Sequence, residues 1–277
     1  MDARVTAPSM QWVEAEGTEP ARLATEACGE GQTFVWGHAL LGSMAQDLDG
    51  GVLAWRELGD IARVIRYDAR GHGQSETQGD PEDFRWDQLA RNMWQVADSY
   101  TGDRVVLGGA SMGCATSLYA ACQRPTQVKG LVLVIPPTAW ESRVKMKRNY
   151  RFMANFVKFT RALPFRLLHL VPEAKEDATL QRKMLSSLAI HLAGAKPRGV
   201  VGAMRGASLS DLPPREELEK LTMPALILAW PGDKTHPLAV AEILDDTLPN
   251  TQLEVMKHED DIYRWPNIVG EFIASLN

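Results

Sequence analysis

The sequence predicts an α/β fold: a mostly parallel eight-stranded sheet with helices on both faces and a helical cap inserted after the sixth strand. Three observations predict it. Short apolar runs rich in Val, Ile and Leu alternate with longer stretches of helical period. Near the middle, Arg104-Val105-Val106-Leu107 runs through Gly109-Ala110-Ser111-Met112-Gly113 into a helix-compatible stretch with no proline until Pro125. Charge is also segregated along the chain.

The first strands form a hairpin. Gln11 to Glu16 alternates, Gly17-Thr18-Glu19-Pro20 turns, and Ala21 to Thr25 returns. Thr33-Phe34-Val35-Trp36 is a buried strand that ends in Gly37-His38-Ala39-Leu40, and a helix is expected around Leu53–Ile61. Strand Arg63–Tyr67 leads into Asp68-Ala69-Arg70-Gly71-His72-Gly73-Gln74-Ser75, and a helix covers Asp87–Tyr100. After the central strand and helix, Lys129–Ile135 is the next strand, stopped by Pro136-Pro137. The rhythm resumes with a short helix at Glu216–Leu221, strand Pro224–Trp230, helix Leu238–Leu248, strand Thr251–Met256 and helix Ile268–Leu276. Strands separated by helices in this way need a parallel sheet covered on both faces.

Between these halves lies a different kind of sequence. Trp140 to Ser210 holds fourteen basic residues and only four acidic ones, which leaves sixteen bases against thirty-one acids for the rest of a 277-residue chain. Met146, Tyr150, Met153, Phe156, Val157 and Phe159 recur at helical spacing before Pro164, and Leu180, Met184, Leu188 and Ile190 suggest a further amphipathic helix. The division expected is a core of residues 1–137 and 207–277 and a helical cap of residues 138–206.

Composition narrows the class. The chain is 45% hydrophobic and 23% charged, as soluble domains are, and it has no uninterrupted apolar run of about 18 residues that would span a bilayer. The N-terminal residues lack the basic-then-apolar layout of a signal peptide. Cys114 and Cys122 stand roughly 12 Å apart on one helix, beyond the ~7 Å reach of a disulfide. The expected compartment is the cytoplasm. The expected partner is a small-molecule substrate, with an anionic one among the options and a homo-oligomer left open. No nucleic acid, membrane, metal or organic cofactor is expected.

The central motif carries the chemistry. A strand that turns at once into a helix through Gly-x-Ser-x-Gly strains the serine backbone and lifts its hydroxyl above the sheet, and side chains at the glycines would collide where strand and helix close up. On these residues the chain resembles the α/β-hydrolases. The loop Asp68-x-Arg70-Gly71-x-Gly73-x-Ser75 is similar to one common in their esterases and lactonases; its glycines permit the turn, and Asp68 and Arg70 can pair.

The resemblance implies a chain order of serine, acid, histidine, with both partners on loops after later strands. Asp233 follows the Pro224–Trp230 strand and His258 follows the last strand, so the implied triad is Ser111, Asp233 and His258. A serine needs such a base, and the base needs a carboxylate to hold its tautomer. Glu141 is the alternative acid. His38 and His72 precede the serine, His169 and His191 lie in the cap, and His236, three residues beyond Asp233, is expected only to shape the acid's loop. The developing oxyanion needs two amide donors, which the resemblance places at Met112 and Leu40, with Ala39 the lesser choice.

The resemblance is nearest to the 3-oxoadipate enol-lactonase type, and it implies a serine hydrolase that cleaves a small ester or lactone through an acyl-enzyme. Carbon–carbon bond hydrolysis, thioester hydrolysis and perhydrolysis share the same triad, and a slow-turnover ligand receptor keeps the same fold. Ala39, Trp230 and Lys257 stand where the family usually has glycine, and Glu259-Asp260-Asp261 after His258 is unusual. Trp140, Arg143, Tyr150, Arg151, Met153 and Phe156 are the expected substrate-facing residues, with Met146, Tyr150, Met153, Phe156 and Phe159 facing down over Ser111 as a lid. Arg143 and Arg151 are the candidates to meet a substrate carboxylate.

Overall fold

A computed structural model describes residues 9–50, 58–161, 163, 167–175 and 178–276. Eight strands form one sheet in the order β1-β2-β4-β3-β5-β6-β7-β8. They are β1 (Ser9–Ala15), β2 (Ala21–Cys28), β3 (Gln32–Gly37), β4 (Ala62–Tyr67), β5 (Val105–Ala110), β6 (Val128–Val134), β7 (Ala225–Ala229) and β8 (Thr251–Val255). The hairpin β1–β2 joins β4 antiparallel, and every pairing from β4 to β8 is parallel. Central strands β5, β6 and β7 expose almost nothing on either face, which is why they read as continuous apolar runs.

The helices are α1 (Met44–Gly50), α2 (Trp86–Tyr100), α3 (Met112–Gln123), α4 (Arg143–Thr160), α5 (Leu180–Ala193), α6 (Pro197–Leu209), the single turn α7 (Arg215–Leu218), α8 (Leu238–Thr247) and α9 (Trp265–Ser275). Most of the helix expected at Leu53–Ile61 lies outside the described residues; α1 precedes it, starting nine residues earlier. One core layer joins α2, α3 and α8 to one face of the sheet, and Trp265, Val269 and Ile273 of α9 seal the other. Among the described residues, no helix is long and apolar enough to cross a membrane.

Between β6 and β7 the described chain is helical. α4 packs on α6 through Ala154, Val157, Val200 and Met204, a small core of the cap's own. The inward stripe of α4 is Arg143, Met146, Tyr150, Met153 and Val157, all buried or half-buried. Phe156 and Phe159, expected on that stripe, are 43% and 89% exposed. Helical geometry explains the difference: they lie roughly 80° or more around the helix from the line of Tyr150 and Met153.

Candidate active site

Parallel strands deliver their C-terminal ends to one edge of the sheet, and the site is built there. Ser111 follows β5 and precedes α3. Its φ of 53° and ψ of −104° are strained for a residue with a side chain. The turn is held by close packing. A side chain on Gly109 would strike the backbone of Gly113, and one on Gly113 would strike Gly37 at the end of β3. The Ser111 amide donates to Val134 O on β6 (3.0 Å), so the serine is fixed to the sheet while its side chain stays 8% exposed.

Asp233 sits in the loop after β7. That loop is tied to the segment leaving β6, where Thr138 N–H donates to Thr235 O at 3.1 Å. The Asp233 carboxylate accepts from Thr235 N–H (2.7 Å), from the Thr235 hydroxyl, from Trp230 Nε1 (3.3 Å) and from His236 Nδ1 (2.6 Å). Partial burial alone would raise its pKa, but the hydrogen bonds from His236 and Thr235 outweigh that and hold it well below the usual carboxylate range. It is therefore ionised at neutral pH.

The histidine that meets the serine is His236. Its Nε2 lies 2.9 Å from Ser111 Oγ while its Nδ1 faces Asp233. The tautomer that satisfies both contacts carries its proton on Nδ1, leaving Nε2 as an acceptor for the serine hydroxyl. The ring is braced edge-on by Trp230, with centroids 6.4 Å apart and planes at 85°, and Trp230 is itself stacked on Trp265 at 5.7 Å.

The structure thus brings Ser111 and Asp233 together through His236, a residue expected only to shape the loop. His258 lies elsewhere. It is exposed, its amide donates to Asp261 Oδ2 (2.9 Å), and its carbonyl accepts from Asp261 N–H (3.0 Å), so it caps the turn Glu259–Arg264. Glu141 is also exposed and pairs with Arg215 at 3.2 Å. The signals for His236 were its closeness in sequence to Asp233 on the same loop and the unusual Lys257 and Glu259-Asp260-Asp261 around His258.

Two backbone amides, those of Met112 and Leu40, are the expected oxyanion donors. Met112 is the first residue of α3, so its N–H has no helical partner. Leu40 follows Ala39, whose carbonyl accepts from both His38 Nδ1 (2.8 Å) and Gly42 N–H (2.9 Å). His38 Nε2 accepts from Ala69 N–H (2.9 Å). This buried histidine pins the loop after β3 to the loop after β4. The N–H groups of Leu40 and Met112 donate no backbone hydrogen bond among the described residues.

The remaining expectations fare unevenly. Asp68 and Arg70 do not pair: Asp68 accepts from Met44 N–H (2.7 Å) and Gln74 N–H (2.8 Å), while Arg70 donates to the carbonyls of Ala15, Glu16, Glu19 and Gln78. Each thus stitches its loop to backbone.

Arg143 is fully buried at the cap's root rather than turned to a substrate. It donates to Thr138 O (3.4 Å), Thr138 Oγ1 (3.2 Å), Ser210 O (3.2 Å) and Ala207 O (2.9 Å), and lies over Trp86 (4.1 Å) and Tyr150 (5.3 Å). Trp140 is half-buried beside it, bonded to Asp211 and Pro213 O. Met153 is half-buried against the cap's core, and Arg151 joins Phe156 on the exposed face of α4.

A cavity of about 400 Å³ lies between Leu41 and Gly42, the loop after β4 and cap residues such as Ile190 and Val200; none of Ser111, Asp233 and His236 is among the described residues that line it.

A family model for the alpha/beta hydrolase fold matches residues 34–267. The chain is 24% identical over 200 residues to a 3-oxoadipate enol-lactonase of Acinetobacter baylyi, covering 70% of each protein. It is 25% identical over 245 residues to a pimeloyl-[acyl-carrier protein] methyl ester esterase of Nitrosomonas europaea, covering 86% of this chain and 92% of that one. Among solved structures, a thermophilic esterase from Thermogutta terrifontis superposes with a TM-score of 0.70 at 21% identity, covering 97% of this chain and 99% of the other. The enol-lactonase from Burkholderia xenovorans gives 0.67 at 18% identity, with 92% and 96% covered.

Proposed function

This chain belongs to the α/β-hydrolase fold family, and on that premise we propose that it cleaves a small carboxylic ester or lactone through an acyl-enzyme on Ser111. In this reading His236 is the general base and Asp233 its orienting acid. The observation that carries the reading is the unbroken relay from Ser111 Oγ to His236 Nε2 and from His236 Nδ1 to Asp233 Oδ2. Enol-lactonase and methyl ester esterase relatives support the substrate class.

The steps follow from that relay. Ser111 Oγ attacks the substrate carbonyl as His236 Nε2 takes its proton, and Asp233 stabilises the imidazolium without becoming protonated. Charge accumulates on the carbonyl oxygen, and in this reading the Met112 and Leu40 amides are its donors. Collapse expels the alcohol, or opens the lactone, with the proton returned from His236. Water then attacks the acyl-serine by the same route and releases the acid.

The decisive comparison is His236→Ala against His258→Ala on p-nitrophenyl acetate and a small lactone. His236→Ala should lower kcat by about six orders of magnitude, as loss of the base does in serine hydrolases, whereas His258→Ala should stay within a few-fold of wild type. The opposite result would move the base to His258.

A further inference from the structure

Helix α4 carries two unlike faces. Arg143, Met146, Tyr150, Met153, Ala154 and Val157 turn inward. Val144, Phe152, Phe156 and Phe159 are exposed by 71%, 69%, 43% and 89%. At about 100° per residue, all four and the cations Lys145, Arg148, Arg151 and Lys158 fall within roughly 160° of arc. Three phenylalanines on one solvent-facing stripe are more than scattered surface apolarity.

Charge sharpens the reading. From Arg143 to Thr160 the sequence has six basic residues and no acidic one. Among the described residues only Lys147 of this helix forms an ion pair, with Asp211 at 2.9 Å; Lys145, Arg148, Arg151 and Lys158 form none. Alongside runs an open groove of about 350 Å³ between α4 and α6, rimmed by Lys158, Arg161, Arg198 and Arg205 over Phe84 and Val201. Among the described residues, no carboxylate lines it.

We propose that the outer face of α4 docks the enzyme on an anionic lipid surface, with its phenylalanines in the acyl boundary and its cations among the headgroups. An amphipathic helix lying in the interface plane has this combination of basic polar positions and bulky apolar ones. A folded partner requires a fitted contour, whereas a single convex helix suits a fluid surface that moulds to it. A two-fold contact between copies through this face would set two caps against each other, each carrying a net +10. The sequence expectation of no membrane partner rested on the lack of a spanning segment, a criterion that a surface-lying helix escapes. The docking is independent of which histidine serves Ser111.

The test is co-sedimentation of the intact protein with sucrose-loaded vesicles of phosphatidylcholine alone or with about a third phosphatidylglycerol. Binding should be at least tenfold stronger to the anionic vesicles and should fall sharply in 0.5 M NaCl. Lys145→Gln/Arg148→Gln/Lys158→Gln should weaken it roughly a hundredfold, the sum of three headgroup attractions. Phe152→Ser/Phe159→Ser should weaken it tenfold or more. Both variants should retain wild-type melting temperature and turnover of a soluble ester.

Absence of wild-type binding to anionic vesicles overturns the proposal, as does binding unchanged in both variants. A dimer in analytical ultracentrifugation that Phe152→Ser/Phe159→Ser disperses, without vesicle binding, would assign the face to a second copy. Capture of an acidic protein without vesicle binding would likewise reject the lipid surface.

Discussion

Ser111, His236 and Asp233 were legible to very different degrees, and the reason is physical. A nucleophile elbow is a local object: its strain and its two close backbone approaches are written into five consecutive residues. A hydrogen bond between two loops is not. Whether His236 or His258 reaches Ser111 depends on how the loops after β7 and β8 are folded. In this chain the Asp233 loop turns back on itself and places His236 Nδ1 2.6 Å from Asp233.

Trp230 was visible only as an oddity where glycine is usual. The structure gives it two contacts that bear on the relay: the indole N–H to Asp233 and the ring edge against His236. Ser111→Ala should abolish turnover of p-nitrophenyl acetate, with kcat down by about six orders of magnitude. Asp233→Asn should cost about four, since the amide favours the wrong imidazole tautomer. Trp230→Phe keeps most of the ring but loses the N–H, so steady-state assays should show kcat reduced several-fold with KM little changed.

At the scale of elements, the parallel strands were readable because burial on both faces leaves them uniformly apolar, as in β5 and β7. The cap helix was readable as a helix but not in its phase. Its apolar residues wrap most of the way round, and periodicity alone does not tell which half packs. The structure settles this through Arg143, whose guanidinium ties Thr138 at the start of the cap to Ala207 and Ser210 at its end.

Burial lowers the pKa of this guanidinium, yet it has no carboxylate within bonding distance among the described residues and relies on carbonyls and the faces of Trp86 and Tyr150. Arg143→Met would strand several buried acceptors. Stability should fall by about 3 kcal/mol in urea unfolding, with the same change in kcat/KM for matched substrates with and without a terminal carboxylate. A selective loss for the carboxylate substrate, with stability intact, would mean that Arg143 reaches the substrate.

For the whole molecule, the consequence of interest is how stability responds to acid. His38 and His72 are buried side by side, with ring centroids 4.9 Å apart. Burial lowers the pKa of His38 to about 4, only partly countered by its hydrogen bond to the Ala39 carbonyl. Burial, and then the neighbouring His38, lower that of His72 to about 3. In the unfolded chain both revert to 6.5. Between the two limits the unfolded state binds protons that the folded state refuses, so stability rises with pH there and is lost as pH falls below 6.5.

Above about pH 7 both rings are neutral in either state and contribute no pH dependence. Asp47, which burial pushes up to about 7, and Asp68, which burial also raises, act in the opposite sense over part of the range. The histidine contribution is therefore read from a difference. Urea unfolding of wild type and His72→Gln at pH 7.0, 5.5 and 4.5 should show wild type losing ground to the variant on acidification. The slope should approach about 1.4 kcal/mol per pH unit, the value for one proton. Parallel curves would mean that His72 titrates alike in the folded and unfolded protein, so that burial does not keep it neutral on acidification.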